Sequence, residues 1–429
     1  MLTIPSDMNI KVRWLAPMRV DGELLEHHTL VIRDGRILDV LPHAAAAERY
    51  APSVVLERPT HLALPGLVNA RTRIAPLPGT LAAGFWADGA LLSIANMLRA
   101  GISCFCEVGC FPREVATLAL AQGMRAVIGL PVAEHASAWA HRSSEYFTRA
   151  IQLRDEYKGH PSISTRFAPL RTSSLGDETL GRLGTLAAEL DAGILAALHE
   201  SREDVEESVR RSGKRPLERF HELGLLTPGL TAAHMTQLGS ADRELVQRSG
   251  AALTWCLSSG LMRGHGVPAT SALSGLRVSL GTDGEHCGPA QDLWSEIRLL
   301  ALHWAPEGDR PAESSPPNPW RVLGAATRGG AEALGLESEI GTLEPGKSAD
   351  VCCVDLAAPA VQPLDDPMRR LVFAGGRDLV SDVWVAGRHL LIEGRLTRVD
   401  WPELASRLGA VAPPAKPSTL LQSIEEIRA

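Results

Sequence analysis

The chain is short of several things that would place it quickly. Its 429 residues contain no uninterrupted apolar run long enough to cross a bilayer, so a membrane-spanning role is not expected. There is no excess of basic residues: 43 Lys and Arg stand against 50 Asp and Glu, a net charge of -7, and a nucleic-acid binder would leave a basic footprint. The first residues, Met1 to Leu15, carry charges and no apolar core of a signal. The seven cysteines are an odd number in a long chain and read as reduced thiols. A cytoplasmic location is therefore expected. Charge blocks, repeats and low-complexity tracts are missing too, apart from a Pro/Ser-rich loop at Glu307 to Pro319.

What is present is a change of texture. Ile10–Leu15, Thr29–Arg33 and Arg36–Leu41 read as strands, with the hairpin signal Asp34-Gly35 between the last two. From Leu62 onward, short apolar runs alternate with amphipathic segments, the pattern of βα units around a parallel sheet. Eight runs are expected as strands: Leu62–Asn69, Ile102–Glu107, Arg125–Val132, Ser162–Pro169, Gly193–His199, Leu230–His234, Ala251–Cys256 and Leu276–Gly281. Eight such units over about 270 residues have the size of a (β/α)₈ TIM barrel. Strand texture returns at Asp350–Asp355 and from Asp382 to Leu391. The expected division is 1–61 and 341–400 for the two parts of a small composite β-sandwich domain, 62–340 for the barrel, and 401–429 for a helical tail.

Barrel enzymes work at the C-terminal ends of their strands. Those ends carry Arg71 and Arg73, Cys106 and Glu107, Arg171, His199 and Glu200, His234, Trp255 and Cys256, and Asp283. Arg71 and Arg73, two apart on a strand, share a face. A buried pair of guanidiniums requires carboxylates or a bound anion, so one of them is expected to contact Asp283, with Glu200 and Glu107 as further partners. A lone His after an apolar run is more often a packed core residue than a ligand. The grouping of His234 with Glu200 and Asp283 is what makes it a site candidate. Cys106, Cys110, Cys256, His286 and Cys287 all fall at the same rim and offer soft donors, but in no recognised metal-binding spacing.

The rim carries the segments Leu64-Pro-Gly-Leu-Val-Asn-Ala70, Leu198-His-Glu-Ser201, Ala233-His-Met-Thr-Gln-Leu238 and Gly281-Thr-Asp-Gly284, and beyond it lie Gly341-Thr-Leu-Glu-Pro-Gly-Lys-Ser-Ala-Asp350 and Val383-Trp-Val-Ala-Gly387. In these segments the chain resembles the amidohydrolase superfamily, most closely the 5′-methylthioadenosine/S-adenosylhomocysteine deaminases, with the chlorotriazine hydrolases as near relatives. The resemblance implies a metal held by a His-x-His pair, two further histidines and an aspartate, with Glu200 as acid/base. In this chain the pair is replaced by Arg71 and Arg73, and the strand-five ligand falls on Ala197. Two other family histidines fall on Leu170 and Trp255, and the lid is shortened to about Ile74–Asp88. Of the ligand set, His234 and Asp283 remain.

A catalytic zinc needs three or more protein ligands, so zinc is not expected and no cofactor is expected. The expected function is a pseudoenzyme with a degenerate metal site, binding a small anionic metabolite or a partner protein. Its ligand-binding residues are Arg71, Arg73, His199, Trp255, Arg171 and Cys106. The alternative is a metal-independent or altered hydrolase or deaminase acting on a non-peptide C–N bond of a nucleoside-like substrate, with Glu200, His234 and Asp283 as its catalytic groups. The resemblance further implies a homodimer.

Overall fold

The computed structural model describes residues 3–74, 83–268, 275–284, 291–303 and 318–411. His286 and Cys287, most of the Pro/Ser-rich loop and the segment beyond residue 411 lie outside them. Four strands come first: β1 (Ile4–Leu15), β2 (Leu25–Arg33), β3 (Arg36–Pro42) and, after the short helix α1 (His43–Arg49), β4 (Tyr50–Pro65). Asp34 and Gly35 form the β2–β3 turn with φ of 52° and 73°, the left-handed backbone that makes Asp-Gly a hairpin signal.

The barrel strands follow, each succeeded by one or more helices. They are β5 (Leu67–Thr72), α2 (Ala83–Arg99), β6 (Ile102–Glu107), α3 (Pro112–Gln122), β7 (Arg125–Val132), α4 (Ser143–Tyr157), β8 (Ile163–Pro169) and α5 (Asp177–Glu189). Then come β9 (Ile194–Leu198), α6 (Arg202–Ser212), α7 (Pro216–Glu222), β10 (Leu230–His234), α8 (Ser240–Ser249), β11 (Ala252–Trp255) and α9 (Leu257–Met262). The series ends with β12 (Arg277–Leu280), α10 (Leu293–His303), α11 (Pro319–Ala325) and α12 (Arg328–Leu334). Strands β5 to β12 pair in sequential parallel order, and a parallel bridge from Thr72 to Asp283 joins the two ends of the series. That seam is reinforced by Asn69 Nδ2 donating to Thr282 Oγ1 at 2.8 Å and by Thr72 Oγ1 donating to Gln291 Oε1 at 2.6 Å.

Alternation along the strands separates two apolar layers. Ile194, Ala196 and Leu198 of β9 face the helices, in the large cluster that also holds Phe105, Ile128 and Leu253. Leu195 sits in a second cluster with Val68, Ala70, Cys104, Cys106, Val127 and Ala233, small side chains that fill the barrel interior.

The chain then returns to the first sheet through β13 (Val351–Asp355), α13 (Pro367–Ala374), β14 (Val380–Val385), β15 (Arg388–Ile392) and β16 (Arg395–Leu396), and ends on α14 (Trp401–Val411). The outer strands form one eight-stranded sheet in the order β16-β15-β14-β13-β4-β1-β2-β3. N-terminal and C-terminal segments meet where β13 runs antiparallel to β4, with Cys352 opposite Leu64. The expected first barrel strand, Leu62–Asn69, is in fact two: β4 ends at Pro65 in the outer sheet, and after Gly66 the chain enters the barrel as β5. Asp350 fixes this junction. It takes Arg125 from the start of β7 in a two-pronged contact of 3.2 Å and 3.2 Å, and also accepts from Ser348 Oγ and Ala386 N.

Candidate active site

Four strand ends deliver the central side chains. Glu200 follows β9, His234 closes β10, Asp283 follows β12 and Arg71 lies near the end of β5. The chain turns sharply here: His199, His234, Met235 and Asp283 all have positive φ, between 51° and 70°. Such backbone is costly for non-glycine residues and clusters at functional sites. The result is a close group. His234 Nε2 lies 3.8 Å from Glu200 Oε1 and 3.9 Å from Asp283 Oδ2. Arg71 Nε lies 3.8 Å from Asp283 Oδ1, an ion-pair distance but too long for a hydrogen bond. Both His234 Nε2 and Arg71 Nε are buried without a hydrogen-bond partner. Buried polar atoms normally have one, so these two are the unsatisfied polar atoms at the centre of the group.

Charge follows from this packing. Burial pushes the His234 imidazole down, and the Arg71 guanidinium adds to the effect, bringing it to about 4. It is neutral at pH 7. Burial pushes the Asp283 carboxyl up, but Arg71, His234 and the 2.8 Å hydrogen bond from Ser259 Oγ outweigh it and bring it down to about 2. Glu200 is also pushed up by burial, yet His234, Arg263 and Arg71 together hold it below the ordinary carboxylate value. The group is thus two ionised carboxylates, a neutral imidazole and a fixed cation.

Other expected site residues are placed elsewhere or do other work. Arg73 donates its backbone N–H to Asp283 O at 2.8 Å, and its charge acts on Glu107. Glu107 is fully enclosed. Burial raises it to about 8 against the opposing hydrogen bond from Ile74 N and the charges of Arg73 and Arg71. The His199 ring is buried and turned away from the group. Its Nε2 accepts from Leu217 N at 3.1 Å, which leaves Nδ1 to donate to Gln237 O at 3.2 Å; it ties α7 to the loop after β10. Trp255 packs among the helix-facing side chains, and Cys106 sits in the barrel interior, its thiol pushed up to about 12 by burial. Arg171 is exposed on the loop after β8, and its carbonyl accepts from Ser174 Oγ. Cys256 is buried and raised well above the usual thiol value, so neither it nor Cys106 offers a ready thiolate.

Two members of the group have no counterpart in the sequence reading. Arg263 donates to Glu200 Oε1 and lies 3.9 Å from Asp283 Oδ2; Ser259 holds that same Asp283 oxygen. Both are carried by α9 and the residue after it. The helix is only six residues long, too short for a periodic pattern. The available signal was the pair Ser258-Ser259 directly after a strand end.

A profile of the Amidohydrolase family matches residues 62–390. The chain belongs to the amidohydrolase family. Among its relatives, this amidohydrolase is 33% identical over 430 residues to a 5-methylthioadenosine/S-adenosylhomocysteine deaminase of Teredinibacter turnerae, covering 94% of this chain and 96% of the relative. A protein of the same name from Saccharophagus degradans is 31% identical, with 94% and 95% covered. An adenosine deaminase structure from Xanthomonas campestris with bound zinc superposes with a TM-score of 0.89 at 34% identity, covering 95% of this chain and 98% of that one. An atrazine chlorohydrolase from Arthrobacter aurescens complexed with zinc shares the fold, with a TM-score of 0.83 at 20% identity and coverage of 95% and 100%.

These findings correct two expectations. The reading of the amidohydrolase as a pseudoenzyme with a degenerate metal site is overturned by relatives named as deaminases along nearly the whole chain. The expectation of no cofactor, with zinc not expected, is overturned by the zinc in its 34% identical structural neighbour. The pseudoenzyme expectation came from counting lost metal donors, and gave too little weight to Glu200, His234 and Asp283, which the fold still brings within 4 Å. His234 Nε2 is unpartnered and Asp283 is ionised, but the Arg71 guanidinium stands beside them. Among the described residues no cluster of three or more His, Cys, Asp or Glu side chains is placed to hold a metal ion. As arranged, these residues do not fit a dication.

Proposed function

We propose that this amidohydrolase is a hydrolase of a non-peptide carbon–nitrogen bond, releasing ammonia from a small nucleoside-like substrate. The observation that carries the reading is the meeting of Glu200, His234 and Asp283 within 4 Å at the C-terminal end of the barrel. The unpartnered His234 Nε2 is the group that would hold the attacking water, shared with Asp283. Glu200, ionised and adjacent, accepts the proton that this water loses as its oxygen bonds to the amino-bearing carbon. The same proton then passes from Glu200 to the departing nitrogen, which leaves as ammonia. Such transfers by a positioned carboxylate contribute about 10²–10⁴-fold in rate. Arg71 offsets negative charge developing on the substrate.

The relatives' names direct the first test: ammonia release from 5′-methylthioadenosine, S-adenosylhomocysteine and adenosine, with the protein as isolated and with added zinc. Turnover that falls at least about 100-fold in Glu200→Gln supports the reading. No ammonia from any of these in either condition, or full activity in Glu200→Gln, refutes it.

A further inference from the structure

A cavity lies at the opposite end of the barrel, where the strands begin. It encloses about 570 Å³ between the barrel and the outer sheet, lined among others by Arg36, Arg125, His160, Ser164, Glu339 and Arg388. Two hairpin tips interlock in its wall: a Cβ on Gly35 would come within 2.7 Å of Ala386 O, and one on Gly387 within 2.9 Å of Gly35 Cα. The tips therefore hold Arg36 and Arg388 in fixed relation on one side. The β7 and β8 starts supply Arg125 and Ser164 on the other.

Its charges do not cancel. Arg125 is matched by Asp350 at 3.2 Å and Arg36 by Glu339 at 3.0 Å. The remaining acid, Asp34, lies 3.8 Å from Arg33 with its side chain 90% exposed to solvent. Arg388 is left over, with no hydrogen bond or ion pair from its guanidinium among the described residues. The free polar groups are also of one kind. His160 Nδ1 accepts from Ser162 N at 3.1 Å and Ile163 N at 3.2 Å, so the ring proton is on Nε2 and that nitrogen donates. The Ser164 hydroxyl is likewise available as a donor. An uncompensated guanidinium, an imidazole N–H and a hydroxyl suit a ligand group that only accepts and has several terminal oxygens.

We propose that this cavity is a second ligand site, taking a small molecule that carries a phosphate group. The volume, within the usual range for ligand pockets, exceeds what a phosphate ion fills and leaves room for a sugar-sized body. The site does not depend on the chemistry assigned to the other end of the barrel.

Thermal unfolding of the full chain tests it, with ribose 5-phosphate and inorganic phosphate as probes and ribose and chloride at matched ionic strength as controls. The expected result is a saturable rise in melting temperature with ribose 5-phosphate and none with ribose. Arg388→Glu weakens the apparent affinity at least about tenfold, Arg388→Lys weakens it less, and Glu200→Gln leaves it unchanged. Arg388 is exposed, so its variants should melt within about 1 °C of the parent without ligand. Inorganic phosphate binding as well as the sugar phosphate supports the site and shows that the body adds nothing. No phosphate-specific shift overturns the proposal. So does a shift that persists in Arg388→Glu and vanishes in Arg71→Met, which would place the anion at the other rim.

Discussion

Replacing Arg71 by Met removes a buried cation from beside a buried anion. The guanidinium and the Asp283 carboxylate are 7% and 4% exposed and 3.8 Å apart. At an effective dielectric of about 20 their attraction is about 4 kcal/mol. Breaking a buried pair by deleting one partner costs about 3–5 kcal/mol, because the other charge is stranded. Two contacts place the expectation at the lower end, near 3 kcal/mol. Ser259 Oγ still donates to Asp283 at 2.8 Å, and Arg263 still lies 3.9 Å away. With an unfolding entropy of about 2.1 cal/mol/K per residue, 3 kcal/mol lowers the midpoint by roughly 3 °C if the chain melts cooperatively. Calorimetry on Arg71→Met, Asp283→Asn and the double variant checks the cause as well as the size. The double variant should be less damaged than the sum of the singles by at least about 1 kcal/mol. Strict additivity would show that the two charges do not support each other.

Glu107→Gln gives a prediction with a definite sign. The folded carboxyl is raised to about 8, above its unfolded value, so the folded state holds the extra proton between about pH 4.5 and 8, and parent stability declines as pH rises through that window. Glutamine can still accept from Ile74 N, so the melting temperature of the variant should gain on the parent from pH 5 to pH 9; a constant difference would refute the assignment. Gly330→Ala should cost about 1–3 kcal/mol, since the new Cβ would come within 2.7 Å of Val68 Cβ and 3.0 Å of Val68 O; an unchanged denaturation midpoint would count against that packing. Finally, Arg71→His with Arg73→His and Ala197→His adds three imidazoles to His234 and Asp283. Zinc affinity by competition with a chelator should rise at least about 100-fold over the parent, and no gain would mean that these positions do not converge.

The sequence carried the barrel because burial repeats with the strand. Ile102–Glu107, Arg125–Val132 and Leu230–His234 have the same ends in the chain reading and in the structure. Legibility failed where pairing partners decide the element. Tyr50–Arg58 leaves most of its side chains exposed or half-buried, yet becomes strand because β1 runs parallel beside it. The run from Leu62 looked continuous although it changes sheets at Gly66. At the site, Glu200, His234 and Asp283 were visible as polar residues ending apolar runs. Arg263 and Ser259 were not, because their position depends on the turn of one six-residue helix. His199, Trp255 and Cys106 looked like their neighbours in sequence, but a reversal of backbone φ or of strand face sends each away from the group.

The single residue between β4 and β5 has a mechanical consequence. Gly66 is hemmed in so closely that a Cβ there would sit 2.2 Å from Ser103 Oγ, leaving no slack hinge between the two bodies. Movement of the outer sheet at this join would pull on the start of β5, the strand that carries Arg71.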